Sequence, residues 1–487
     1  MKYESAAERN KGFRRRGGFG LLAAAVVMGT VTGARNHEVL QPIPDSACRP
    51  TESAAGDTSG PTGRLGTPAP DFDGDGHPDA ALDVPAGNGD VYETGRIALV
   101  RGSADGLRPE QRKVFTPKDF RLPEHDGMSG GPSGPTVADL DGDGHPDLVA
   151  GASAHVQWGG PDGPDPDNPP ARIRLPHVGE GQSPIKGKGN GFYTDPPVAG
   201  DFDGDGHTDL ATYFTGQEKR RLVVLHGPFT RTGEPARTSE RADPDPRGVG
   251  TVVDLRLIAA EVTGDRAADL LVHEPGEPGT PLLLTGGADT RTGLGKEAER
   301  LPKGENIAVG DFDGDHRTDI AFGDSGIPDE EGEPADRKGT VTIRYGKAPE
   351  APVVIEGGTR KGGFGIGLIA GDFNGDGCDD LAVQRANDRV GNSGSVDILR
   401  GGSSPGLGSD PWRHLHRSRH ASEPDPVGRQ DWSGGPVGAA DFDGDKRDEL
   451  VVSTGYQPDH GRDWWIVDGS GKNMTSFDAA DLARSKR

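Results

Sequence analysis

Cysteine is almost absent from this chain: two residues, Cys48 and Cys378, in 487. That excludes a disulfide scaffold, whose small domains replace a core with several bridges. Two unpaired thiols are the plain reading of so sparse a pair, and a Cys48–Cys378 bond is the alternative. Aromatic residues make up 5% and all hydrophobic residues 31%, too few for large helical cores and poor in the platforms on which sugar rings stack. Basic residues are outnumbered, 54 to 78, for a net charge of −24. Such a surface repels nucleic acid and anionic membranes and attracts cations. Long apolar runs are missing beyond the N-terminus. There, Lys11, Arg14, Arg15 and Arg16 precede the short apolar stretch 19–34, "FGLLAAAVVMGTVTGA", which reads as a secretory signal cleaved after Ala34. A secreted protein without stable membrane insertion is expected, with 35–62 as a Pro/Gly/Ser-rich flexible linker.

What is abundant is glycine (79) and proline (41), together about a quarter of the chain. Aperiodic Gly and Pro at that level mark disorder, so the deciding question is whether they recur with a period. They do. A nine-residue window begins at 71, 139, 201, 261, 311, 372 and 441, and reads DFDGDGHPD, DLDGDGHPD, DFDGDGHTD, EVTGDRAAD, DFDGDHRTD, DFNGDGCDD and DFDGDKRDE. Successive spacings are 68, 62, 60, 50, 61 and 69 residues. Position 2 is always apolar, position 4 always glycine, position 5 always aspartate and position 9 always acidic, whereas position 7 varies freely.

Short apolar runs flank each window. "DLVA" (147–150), "DIAF" (319–322) and "ELVV" (449–452) follow it, and a further strand ends at a glycine in "RLVVLHG" (221–227), "GTVTIRYG" (339–346) and "GSVDILRG" (394–401). Each unit is therefore strand, acidic loop, strand, longer loop, strand and a fourth edge strand. One small sheet of about sixty residues cannot bury both its faces. Stacking such sheets around an axis does, which predicts an all-β, seven-bladed β-propeller over 63–487. A six-bladed ring, with the divergent fourth copy as an insertion, is the alternative.

Carboxylates at positions 1, 3, 5 and 9 of a loop turn toward one point. Oxygen-only ligands in a flexible loop select a hard cation, and calcium takes six to eight of them. Position 7 then contributes its backbone carbonyl, which explains its free variation, and the position 4 glycine permits the sharp turn. An EF-hand is excluded, because position 12 is Leu82, Ala150 or Thr212 where that motif needs a bidentate glutamate. One such window would read as a solvated acidic turn; seven in register do not.

The seven D-x-D-G-D-x-x-x-D loops, together with the Phe-Gly of "GGFGIGLIAGDFNGDGCDDLAV" (362–383), resemble the integrin-alpha-type FG-GAP/VCBS β-propeller family, of the secreted bacterial type. The resemblance implies a loop between each blade's first two strands that binds calcium, six to seven ions in all. In loop one the ligands would be Asp71, Asp73, Asp75, Asp79 and the carbonyl of His77. Loop two would use Asp139, Asp141, Asp143, Asp147 and the His145 carbonyl; loop three, Asp201, Asp203, Asp205, Asp209 and the His207 carbonyl. Loop four offers only Glu261, Asp265 and Asp269, with Thr263 at position 3, and is expected to bind most weakly. Loop five supplies Asp311, Asp313, Asp315, Asp319 and the Arg317 carbonyl. In loop six they would be Asp372, Asn374, Asp376, Asp380 and the Cys378 carbonyl, and in loop seven Asp441, Asp443, Asp445, Glu449 and the Arg447 carbonyl.

Catalytic residues are not identified. "GDSGIP" (323–328) looks like a serine-protease segment but occupies a place where other repeats carry blade structure. "PWRHLHRSRHA" (411–421) gathers basic and histidine residues and reads as a solvated loop of blade six, with a zinc site at His414, His416 and His420 as the alternative. The expected function is a monomeric, non-catalytic binding or adhesion module with an extracellular protein or glycan partner. A carbohydrate-active propeller, lectin or polysaccharide lyase, is the alternative, with Trp412 and Trp432 as its candidate platform.

Overall fold

The computed structural model describes Cys48 and segments 70–84, 96–121, 135–150, 154–177, 192–193, 197–215, 220–244, 255–274, 279–289, 291–327, 337–358, 363–386, 394–403, 406–415, 434–454, 463–468 and 474–483. The expected signal peptide lies outside them, as does the linker apart from Cys48.

Seven antiparallel sheets follow one another along the chain. Blade five is typical: Asn306–Gly310, Asp319–Asp324, Thr340–Arg344 and Val353–Glu356 pair in sequence order. Blade six (Phe364–Gly371, Asp380–Ala386, Gly394–Leu399, Pro411–Leu415) and blade seven (Gly434–Ala440, Glu449–Thr454, Asp463–Val467, Met474–Asp478) repeat that meander. Blade four forms a complete four-stranded sheet, Arg256–Ala260, Asp269–His273, Leu282–Leu284 and Glu299–Arg300, and adds a small hairpin. The divergent fourth copy is thus a true blade, and the ring has seven. In blade three both Phe192–Tyr193 and Val198–Gly200 pair with Asp209–Thr215. Blade one shows Ala80–Val84, Arg96–Arg101 and Arg108–Phe115.

Sheets stacked on both sides bury both faces of their middle strands, and Asp147–Ala150 and Asp269–His273 are buried at every residue. Outer strands such as Arg108–Phe115 are mostly polar. Seven apolar clusters fill the seven inter-blade spaces. Phe202 joins Leu222 of blade three to Leu270 and Leu284 of blade four; Phe312 joins Val341 to Leu368 and Leu381. The position 2 side chain of each loop lies between its own blade and the next: Phe72, Leu140, Phe373 and Phe442 do the same, and Val262 packs against its cluster from a half-buried position.

The ring closes where Phe442, Trp464 and Phe477 of blade seven meet Leu82, Ala98 and Val100 of blade one. The short helix Ala479–Ala483 seals this seam: Leu482 is buried in the cluster, and Arg112 Nε of blade one donates to its carbonyl (2.8 Å). Backbone bonds also link successive acidic loops. The Asp379 amide donates to the Asp311 carbonyl (2.9 Å), and Asp379 Oδ2 accepts from the Asp311 amide (2.8 Å). Asp448 and Asp372 repeat both bonds at 2.9 Å.

The two cysteines are joined, Cα atoms 5.2 Å apart, which corrects the reading of unpaired thiols. Distance along the chain says nothing of proximity in a closed ring, and 330 residues separate this pair. Cys378 stands in loop six, and Gly314 of loop five faces the bond so closely that a Cβ there would collide with Cys48 Sγ.

Candidate metal centres

Windows two to seven each connect the first and second strands of their blade, as in Asn306–Gly310 to Asp319–Asp324, and window one leads directly into Ala80–Val84. All seven are wound alike. The amide of position 7 donates to the position 5 carboxylate at 2.9–3.1 Å: His77 to Asp75, His145 to Asp143, His207 to Asp205, Ala267 to Asp265, Arg317 to Asp315, Cys378 to Asp376 and Arg447 to Asp445. The position 1 carboxylate gathers the amides of positions 4, 5 and 6. Asp201 accepts from Gly204 (2.8 Å), Asp205 (3.0 Å) and Gly206 (2.8 Å). Asp71, Asp139 and Asp372 do likewise. Asp311 holds the Asp315 and His316 amides, and Asp441 holds that of Lys446. In loop four the longer Glu261 meets only the Gly264 amide among the described residues.

These turns need left-handed backbone. Position 4 has φ between 70° and 83° in all seven loops, which glycine adopts freely. Position 6 is left-handed too, at Gly76, Gly144, Gly206 and Gly377 but also at Arg266 (78°), His316 (63°) and Lys446 (72°). The free variation of position 6 therefore hides a conformational cost that the sequence does not display.

Position 9 has a second task besides the expected ligation. Asp79 accepts from the Phe72 amide with one oxygen and from the Gly102 amide with the other, both at 2.8 Å. Asp147 binds Leu140 (2.9 Å) and Gly159 (2.6 Å), and Asp319 binds Phe312 (2.9 Å) and Gly346 (2.8 Å). This carboxylate ties the loop's start to the end of the third strand, and it is buried in every blade. Burial disfavours its charged form: Asp79 is pushed up to about 6, Asp147 and Asp319 to about 7, and Asp380 and Glu449 to about 8.

Ligand atoms converge where the sequence placed them. Those of Asp71, Asp73 and Asp79 lie within 4.8 Å of one another, as do those of Asp139, Asp141 and Asp147, and of Asp201, Asp203 and Asp205. Asp73 Oδ1, Asp203 Oδ1 and Asp441 Oδ1 are buried without a hydrogen-bond partner. Orphaned buried oxygens of this kind, grouped with other hard donors, fit a bound cation. Loop six is more constrained: Asn374 gives its amide nitrogen to both Asp380 oxygens (3.0 and 2.9 Å), which leaves its carbonyl oxygen for an ion.

Basic side chains at the loops escaped the sequence reading. Arg101 meets Asp73 Oδ2 (2.7 Å), Arg231 meets Asp141 Oδ2 (2.6 Å), and Arg400 meets Asp376 Oδ2 (2.8 Å). Arg101 and Arg400 stand just before the glycine that ends the third strand, a place the repeats mark clearly. Elsewhere, Ser325 is buried and donates its hydroxyl to Glu305 Oε1 (2.6 Å), so "GDSGIP" supplies blade structure. Pro411–Leu415 is the fourth strand of blade six, where a solvated loop was expected, and His414 Nδ1 lies 2.7 Å from the buried Asp397 Oδ1. His416, His420 and Trp432 lie outside the described residues. Trp412 and Trp465 pack against the cluster between blades six and seven, and Trp464 is buried in the closing seam.

A family model for the FG-GAP repeat matches residues 131–163, which carry the second acidic loop and the strands beside it. No curated protein matches the chain. Among solved structures, the crystal structure of the V. cholerae biofilm matrix protein Bap1 is similar at 12% identity over 85% of this chain and 79% of that one, with a TM-score of 0.26. Superposition that loose carries no functional argument.

Proposed function

Taking the chain as an FG-GAP-type β-propeller, we propose that it is a secreted, calcium-stabilised binding or adhesion module with no catalytic role of its own. One observation carries the calcium reading: all seven loops are wound by the same position 5 to position 7 bond, even where their sequences diverge. An ion in each loop would hold positions 1, 3 and 5 by side chain, position 7 by its carbonyl, and position 9 beneath. It would neutralise carboxylates that now repel one another. FG-GAP repeats are typical of extracellular proteins, and no helix among the described residues is long and apolar enough to cross a membrane. Trp412 packs against the cluster between blades six and seven, which speaks against a free sugar platform there.

Chelation tests the proposal. Extracellular calcium modules bind at roughly 10⁻⁴–10⁻³ M. At about 1 mM calcium a site at the tight end adds on the order of 1.4 kcal/mol, so six such sites add several. Excess chelator is expected to lower the melting temperature by many degrees, restored by calcium and poorly by magnesium. An unchanged melt would sink the calcium reading.

A further inference from the structure

Loop three differs from its siblings in one buried side chain. Where the other blades place Arg101, Trp158, Thr285, Tyr345, Arg400 or Asp468 before the glycine at the end of the third strand, blade three places His226. His226 is 1% exposed. Its Nδ1 lies 3.1 Å from Asp203 Oδ2 and 3.2 Å from Asp209 Oδ2. Its Nε2 lies 3.0 Å from Ser239 Oγ. Ser239 donates its only hydrogen to the Thr292 carbonyl (3.1 Å), because a carbonyl can only accept. Ser239 Oγ must therefore accept from His226 Nε2–H, which leaves Nδ1 as the ring nitrogen that faces the loop. Nδ1 thus faces two carboxylate oxygens at close range, a position that a proton or a metal ion fills.

We propose that His226, Asp203 and Asp209 form a mixed nitrogen–oxygen site that takes a first-row transition dication, with zinc as its representative, where the other loops take calcium. Ligands held tetrahedrally at about 2.0–2.2 Å from such an ion lie roughly 3.3–3.6 Å apart, and the two observed separations come within a few tenths of an ångström of that. Imidazole favours these metals, whereas calcium prefers an all-oxygen shell. Asp203 supplies a further donor: its side chain is 5% exposed and its Oδ1 is buried without a partner. The remaining contacts leave the site negative. Arg237 touches Asp203 Oδ2, and the Phe202 and Gly227 amides donate to Asp209 (3.2 and 2.9 Å). Against the four loop carboxylates stands the guanidinium of Arg237. The bond from Nε2 through Ser239 to Thr292 is the outer-shell brace that metal-bound histidines use to hold their tautomer. The proposal shares Asp203 and Asp209 with the calcium reading of loop three but does not need calcium in the other six.

The test uses the full chain, stripped of metal, saturated with calcium and then titrated with Zn2+ by calorimetry and with Co2+ by visible absorption. One equivalent of each is expected to bind despite excess calcium. His226→Gln should abolish that equivalent while leaving the calcium-dependent melting rise. Ser239→Ala, which keeps every ligand, should weaken it about tenfold and serves if the first variant fails to fold. Absence of the equivalent, or its survival unchanged in both variants, would overturn the proposal. Zinc binding without any calcium response would instead sink the calcium reading and leave this one standing.

Discussion

Replacing Asp79 by alanine separates the two tasks of position 9. In metal-free protein the carboxylate satisfies the Phe72 and Gly102 amides at 2.8 Å each. Asp79 is buried, so water cannot substitute. An orphaned buried amide costs about 1–3 kcal/mol, and two cost about 2–6 kcal/mol. Against this stands the burden of a buried charge, since burial pushes Asp79 up to about 6. That burden begins near pH 4, where the unfolded carboxyl ionises, is about half developed at pH 5 and is complete at pH 8. Urea unfolding in chelator should therefore show Asp79→Ala destabilised by up to about 4–5 kcal/mol at pH 5 and by about 1.4 kcal/mol less at pH 8. Asp75→Ala in the same loop removes an exposed carboxylate with one exposed amide bond, and should stay within about 0.5 kcal/mol in chelator. Both variants should lose the calcium response of loop one. Equal stability of the two metal-free variants at pH 5 would refute the bracing role.

Three further outcomes are expected. Because the folded pKa values of Asp79, Asp147, Asp319, Asp380 and Glu449 are raised to between about 6 and 8, the folded metal-free protein keeps protons that the unfolded chain releases near pH 4. Relative to higher pH these groups therefore favour folding below about pH 4, and that contribution is lost as pH rises from about 4 to 8; calcium needs the same groups ionised, so its melting increment should shrink from pH 8 to 5, with proton release seen by calorimetry in two buffers, and an increment larger at pH 5 would contradict this. Lys446→Gly should raise stability by about 0.5–1 kcal/mol, because it relieves a left-handed backbone at φ 72°; a loss in thermal melting would count against that cost. Denatured, unreduced protein should show no titratable thiol, and Cys378→Ser should lose up to about 5 kcal/mol, as expected for a cross-link closing a loop of 330 residues; two reactive thiols would contradict the bond.

Seven blades, the place of the acidic loops and the inward position 2 side chains were legible because repetition exposes whatever every copy must keep. Phe202 and Phe312 are invariant in kind for the packing reason that the pattern implied. Fourth strands were hardly visible, since rim strands such as Arg237–Ala242 have little apolar alternation to show. The bracing by Asp79 was hidden because an acidic residue in an acidic loop carries no mark of its hydrogen-bond partners. His226 was hidden for the opposite reason. It stands at a position that varies from blade to blade, and only spatial proximity to Asp203 and Asp209 gives it meaning.

The bond from Cys48 to Cys378 has a mechanical consequence. Cys48 precedes blade one in the chain but is fastened to loop six, two blades away from blade one around the ring. Tension applied ahead of residue 48 enters the molecule at loop six. It is not delivered to the side-chain contacts of Phe442, Trp464 and Leu82, which hold the last blade to the first. The joint where the ring closes is thereby shielded from load that arrives from the N-terminal side.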